Sequence, residues 1–173
     1  MVKNNKMRYA LVTGGSRGIG SAIAERLARD GYSVVINYKS NDTAAQEVLQ
    51  KILQEGGQAE LLKFDVTSPT AIQEAYTSWC AAHEGAHFDV LINNAGGALQ
   101  IPGGPKGEFK DMPMEDWDSQ MNLNLNSAAY LSRYAVEDMI AKGTEGRIVN
   151  ISSVHGQVTW VHRRMLPYSA AKA

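Results

Sequence analysis

Short apolar or β-branched runs recur along the chain at Tyr9–Thr13, Ser33–Asn37, Glu60–Phe64, Asp89–Asn93 and Arg147–Ile151. Each has the length of a strand buried on both faces. Between them the apolar positions change to helical spacing: Ile19, Ile23 and Leu27, then Ala45, Val48, Leu49, Ile52 and Leu53, then Ile72, Ala75, Tyr76 and Trp79. Spacings of i, i+3, i+4 and i+7 predict helices that each cover one face of a sheet. Strands alternating with helices, joined by right-handed crossovers, predict an α/β fold: a doubly wound parallel sheet of Rossmann-type dinucleotide-binding topology.

Punctuation supports these elements. Gly31 follows the first helix, Gly56–Gly57 the second, and Ser68–Pro69 opens the third as cap and first helical residue. The stretch from Gly96 to Pro113 breaks the rhythm, with Gly96–Gly97, Gly103–Gly104 and prolines at 102, 105 and 113. It follows the fourth strand at the carboxyl edge, where open α/β sheets take ligands, so a functional loop is predicted there.

The 173 residues, 44% hydrophobic and 20% charged, fit one soluble globular domain over 1–173. Seventeen basic against 18 acidic side chains give a formal charge of −1, so no net field draws the chain to nucleic acid or an anionic membrane. Any anion must be held by a local site. Cys80 is the single cysteine and suits a reducing compartment, with a buried, inert thiol as its expected role. No apolar run approaches a membrane span and Met1–Arg8 lacks a secretory pattern, so a cytoplasmic protein without membrane or nucleic-acid partners is expected.

Thr13-Gly14-Gly15-Ser16-Arg17-Gly18-Ile19-Gly20 lies between the first strand and the first helix. Glycines there permit positive φ and close backbone approach, which lets a pyrophosphate sit on the free N–H groups of the helix start. The competing reading is a purely structural turn, since the spacing differs from G-x-G-x-x-G.

On these residues the chain resembles the short-chain dehydrogenases/reductases, whose glycine motif is T-G-x-x-x-G-x-G. Four further motifs match in order: Asp65–Val66 after the third strand, Asn93–Asn94–Ala95–Gly96 after the fourth, Ser153 after the fifth, and Tyr168-Ser169-Ala170-Ala171-Lys172 as Y-x-x-x-K. The resemblance covers essentially the whole chain, and within the family it is similar to 3-oxoacyl-(acyl carrier protein) reductases and to glucose 1-dehydrogenase-type members. It implies a nicotinamide cofactor contacted by Gly14, Ser16, Arg17, Gly18, Ile19, Gly20, Asp65, Val66, Asn94, Ala95, Gly96, Tyr168 and Lys172. An NAD-specific member typically ends its second strand with aspartate; here Asn37 stands there, with Arg17 and Lys39 as nearby cations, so NADP(H) is favoured and NAD(H) stays possible. Solvated surface charge is the alternative for both cations.

Tyr168 and Lys172, four residues apart, share one helix face, and an ammonium beside a phenol favours proton exchange near neutral pH. The resemblance implies that Tyr168 exchanges the proton, Lys172 assists it and holds the nicotinamide ribose, Ser153 hydrogen-bonds the substrate oxygen, and Asn124 holds a relaying water. Ser152 is the neighbouring alternative to Ser153, and Asn122 and Asn126 are those to Asn124. His155, His162, Arg163 and Arg164 suit either an acyl-carrier phosphate or a solvated loop. His83 and His87 lack a third ligand and read as a helix end, so no metal is expected. Trp79, Trp117 and Tyr130 read as core or interface. Ala128, Ser132, Ala135, Val136, Met139 and Ile140 mark an apolar helix for a homo-oligomer contact, dimer or tetramer.

Family members are usually longer, so the expected chain is a fragment lacking the last strands and the substrate-binding segment, or else a truncated product. The function expected is oxidoreduction of a ketone or secondary alcohol, small or carrier-bound, with 3-oxoacyl thioester reduction first. Sugar oxidation, and a catalytically silent dinucleotide-binding module, are the alternatives.

Overall fold

In a computed structural model that describes residues 7–98, 109–158 and 165–173, Tyr9–Val12 (β1) is the middle strand of a five-stranded parallel sheet. Along the chain follow α1 (Gly18–Arg29), β2 (Ser33–Tyr38), α2 (Asp42–Gln54), β3 (Gln58–Lys63), α3 (Pro69–Ala82), β4 (Phe88–Asn93), α4 (Met114–Met121), α5 (Ser127–Lys142), β5 (Arg147–Asn150) and α6 (Leu166–Lys172). The strand order β3-β2-β1-β4-β5 is the doubly wound arrangement, reversing between β1 and β4. The glycine and proline pairs within 99–108, and Trp160, His162, Arg163 and Arg164, lie outside the described residues.

Alternation along the strands divides the core in two. Leu11, Val35, Phe88 and Leu91 meet Ile72, Tyr76 and Trp79 of α3 and Leu131, Ala135 and Met139 of α5. Phe88 stacks on Trp79 at 4.1 Å and meets Tyr76 edge-on at 5.3 Å. On the opposite face Ala10, Val12, Val34, Ile36, Val90 and Ile92 meet Ala24 and Ala28 of α1 and Val48 and Ile52 of α2.

The caps are local chemistry. Asn41 Oδ1 accepts the Ala44 N–H at 3.0 Å and Ser68 Oγ the Ala71 N–H at 3.2 Å, with Pro69 in the first helical turn. Ser68→Ala is expected to cost about 1 kcal/mol, read as a lower midpoint in urea unfolding; an unchanged midpoint would show that this cap contributes nothing.

Every strand differs from the sequence reading by one or two residues at one end or both, and pairing explains the shifts in β3 and β2. β3 begins at Gln58 because Gln58 and Ala59 pair with Ser33 and Val34. β2 continues through Asn37 to Tyr38, pairing Asn37 with Leu62 and Tyr38 with Lys63. The residue that ends β2 is therefore Tyr38, and Asn37 lies within the strand.

Cys80 is half-buried rather than fully buried, and burial together with the Asp138 carboxylate 3.8 Å away pushes its thiol up to about 11. His83 caps the end of α3, stacks on Trp79 at 4.3 Å and approaches Glu60 at 3.1 Å, while His87 contacts Thr144 at 2.8 Å. Ala135 and Met139 of α5 enter the core, whereas Val136 and Ile140 are 41% and 75% exposed. Trp79 is core, Trp117 is half-buried against Phe109, and Tyr130 is exposed. Among the described residues no helix is long and apolar enough to cross a membrane.

Candidate active site

Where the strand order reverses, the chain leaves β1 and β4 side by side, and Thr13 ties the two exits together. Its hydroxyl donates to Ile92 O at 3.2 Å and accepts the N–H groups of Asn94 at 3.0 Å and Ala95 at 2.9 Å. Asn94 answers with its carboxamide, whose Nδ2 donates to Thr13 O at 2.8 Å and Gly14 O at 3.2 Å. A cavity of about 860 Å³ opens above this junction, the size of a cofactor site.

One wall is the turn from β1 into α1. Gly14, Ser16, Arg17, Gly18, Ile19 and Gly20 all line the cavity. Gly18 has φ +57°, which a side chain would strain. Gly20 packs so closely under the turn that a Cβ would press on Gly14 O and lie 2.5 Å from Asn94 Nδ2. Helix α1 starts without a side-chain cap and without an acidic residue in its first turn, so its first amides are available to an anion.

The second wall comes from the ends of β2 and β3. Lys39 Nζ pairs with Asp65 Oδ2 at 2.7 Å, and Asp65 Oδ1 accepts from the Thr67 N–H and hydroxyl at 2.9 and 2.8 Å. Burial raises the Asp65 pKa, but Lys39 and the Thr67 hydrogen bonds outweigh it and hold the carboxyl below the usual carboxylate value. Val66 is buried on the same wall. Asn37 also reaches the wall, but it is 1% exposed and its carboxamide is taken up by Gly14, Leu62 and Phe64.

Opposite the glycine turn stand Tyr168 and Lys172 of α6, with Ile151 and Ser152. Lys172 Nζ donates to Ile151 O at 2.8 Å, and burial pulls its pKa below the ordinary lysine value. The Tyr168 ring lies edge-on to His155 at 6.0 Å. Ser153 caps the single turn Val154–Gly156, its Oγ accepting the His155 N–H at 3.2 Å, which leaves its hydroxyl hydrogen to donate. Ser152 lines the cavity instead, with its hydroxyl on Lys172 O.

Between α4 and α5 the backbone makes one π-helical turn, Asn122–Asn126, and Asn124 is its buried member. Asn124 Oδ1 accepts the Gly97 N–H at 2.8 Å; its Nδ2 donates to Gly97 O, Gln120 O and Gln120 Oε1 at 2.9–3.1 Å. A Cβ on Gly96 would lie 2.7 Å from Asn124 Oδ1 and 3.0 Å from Lys172 Nζ, so both side chains rest on that bare Cα. Asn122 lines the cavity, with its Nδ2 donating to Thr67 O at 2.9 Å. The structure thus brings Tyr168 and Lys172 to one corner of the cavity and sets buried Asn124 beside Lys172 against Gly96. Gln120, 1% exposed, was not singled out from sequence; a polar residue one turn before Asn124 was its only signal.

The doubly wound sheet with a cavity over its β1/β4 reversal defines a dinucleotide-binding-type α/β domain. The sequence model of the family "short chain dehydrogenase" matches residues 8–173, and the chain belongs to that family. It is 36% identical over 160 residues to glucose 1-dehydrogenase 2 of Bacillus subtilis, covering 91% of this chain and 58% of the relative. It is 37% identical over 166 residues to the 3-oxoacyl-[acyl-carrier-protein] reductase of Synechocystis, covering 96% and 63%. The chain therefore spans about three fifths of the length of these curated relatives. Among solved structures, a metagenomic short-chain oxidoreductase in complex with NADP superposes with TM-score 0.83 at 34% identity, covering 95% of this chain and 70% of that one. Acetoin dehydrogenase from Enterobacter cloacae gives TM-score 0.85 at 31%, covering 98% and 63%.

Proposed function

We propose that this chain forms the dinucleotide-binding and proton-transferring part of an oxidoreductase that uses NADP(H) on a ketone or secondary alcohol. The observation that carries the reading is that Tyr168 and Lys172 line the same cavity as the glycine turn, with buried Asn124 packed beside Lys172 against Gly96. The turn fits a pyrophosphate through its bare Cα positions and uncapped amides, and Arg17 and Lys39 fit a 2′-phosphate. When bound, the nicotinamide supplies or takes up the hydride.

The rest of the chemistry belongs to the chain's own side chains. Tyr168 gives its hydroxyl proton to the carbonyl oxygen in reduction and takes it back in oxidation. Lys172 has three N–H donors and spends one on Ile151 O, leaving two to steady the phenolate, hold a ribose hydroxyl or pass a proton towards Asn124. Ser153 donates to the substrate oxygen as charge develops there. A 3-oxoacyl thioester is the first substrate class and a sugar the second, in line with the two relatives. A homo-oligomer in the cytoplasm remains part of this reading, with Val136 and Ile140 exposed for a subunit contact.

Fluorescence titration of the 173-residue chain with NADPH and NADH tests it. Arg17→Ala and Lys39→Ala are each expected to weaken NADPH about tenfold, or about 1.4 kcal/mol, and to leave NADH within about twofold. Equal losses for both dinucleotides would move the 2′-phosphate elsewhere, and a folded chain that binds neither would end the cofactor reading.

A further inference from the structure

Asn37 is a wholly buried polar side chain that joins the glycine turn to the exit of β3. Its Oδ1 accepts the Gly14 N–H at 3.2 Å, its backbone oxygen accepts the Gly15 N–H at 2.8 Å, and its Nδ2 donates to Phe64 O at 3.0 Å and Leu62 O at 3.3 Å. Two carbonyls at one end and an N–H at the other fix which way the carboxamide points. It therefore spans three segments: the turn after β1, the last part of β2, and the exit of β3 one residue before Asp65.

We propose that Asn37 is a positioning residue for dinucleotide binding, holding the Gly14–Gly15 turn and the Phe64–Asp65 corner at one fixed separation. The inference rests on the dinucleotide reading for its purpose, but the clamp itself is a property of this chain. Only a short carboxamide meets the pattern. Aspartate has the same shape but no donor, so it would turn an acceptor against Leu62 O and Phe64 O in a buried place. Serine is too short to span the gap. Because the side chain is enclosed and does not reach the cavity as a ligand group, it serves both dinucleotides equally, whereas Lys39, on the exposed side of the same wall, separates them.

Two measurements on the full 173-residue chain decide the matter. In the wild-type protein the Asn37 carboxamide hydrogens are expected to exchange with solvent at least about 100 times more slowly than those of exposed Asn41. Exchange as fast as at Asn41 would overturn the clamp whether or not any variant folds. In Asn37→Ser and Asn37→Asp, NADPH and NADH affinities are expected to fall together by about tenfold or more, with their ratio unchanged within about twofold. Gly14 amide exchange should quicken at least about tenfold while Val12 and Ile36 stay protected, an outcome that general loosening of the sheet would not produce. A rise of NADH relative to NADPH in Asn37→Asp would show a side chain that touches the ribose, and would overturn the proposal. So would a Gly14 amide that exchanges at the wild-type rate. If the wild-type chain binds neither dinucleotide, the cofactor reading falls, and Gly14 exchange still decides the clamp.

Discussion

Tyr168→Phe is expected to slow ketone reduction by about 10²–10⁴-fold, about 3–5 kcal/mol in the barrier, while NADPH affinity stays within about threefold. The substitution removes one oxygen. The ring that meets His155 edge-on at 6.0 Å is kept, and no hydrogen bond among the described residues involves that hydroxyl. Lys172 stays anchored on Ile151 O, so whatever it contributes to holding a ribose survives. The measurement is the decay of NADPH absorbance with an acetoacetyl thioester, with glucose oxidation run in the reverse sense. Turnover at the wild-type rate would mean that the proton comes from another group. Tight NADPH binding with no turnover in the wild-type chain itself would favour a dinucleotide-binding module.

The second large effect is expected at Gly20→Ala, which should weaken both dinucleotides at least about 100-fold, some 2.7 kcal/mol. The added methyl would press on Gly14 O and lie 2.5 Å from Asn94 Nδ2. Neither neighbour can step aside cheaply: Gly14 is held from behind by Asn37, and Asn94 by its bonds to Thr13. Overfilling a packed place of this kind costs about 1–3 kcal/mol of stability, so the thermal midpoint should also fall. Titration of a variant shown to be folded is the direct reading, and unaltered affinity would take the pyrophosphate away from this turn.

What could be read from the residues alone was whatever is decided locally. The five strands and the first three helices showed in the change of apolar period, and the Ser68–Pro69 start of α3 in its capping chemistry. Gln58 and Ala59 carry no strand signal of their own and are drawn into β3 by Ser33 and Val34 of the neighbouring strand. Asn37 reads as a strand end because it is polar after three apolar residues; its polarity instead answers an amide 23 residues before it and carbonyls 25 and 27 residues after it. Thr13 likewise bonds to amides 81 and 82 residues away, and Gln120 matters only because the backbone turns Asn124 back upon it. The motif residues of the candidate site could be named from resemblance. The side chains that hold them in place could not, since their partners are set by the fold.

The π turn at Asn122–Asn126 makes chain length a functional quantity in its own right. In a regular helix each residue advances the side chains by about 100° around the axis, so removing one residue rotates everything beyond it by that angle. Here Asn124 must point at Gly97 and at Gln120 while Leu131, Ala135 and Met139, further along the same rod, must point into the sheet. The wider turn supplies the phase difference between those two demands. A one-residue deletion in this segment would keep the composition almost intact and still put either the asparagine or the core face out of step.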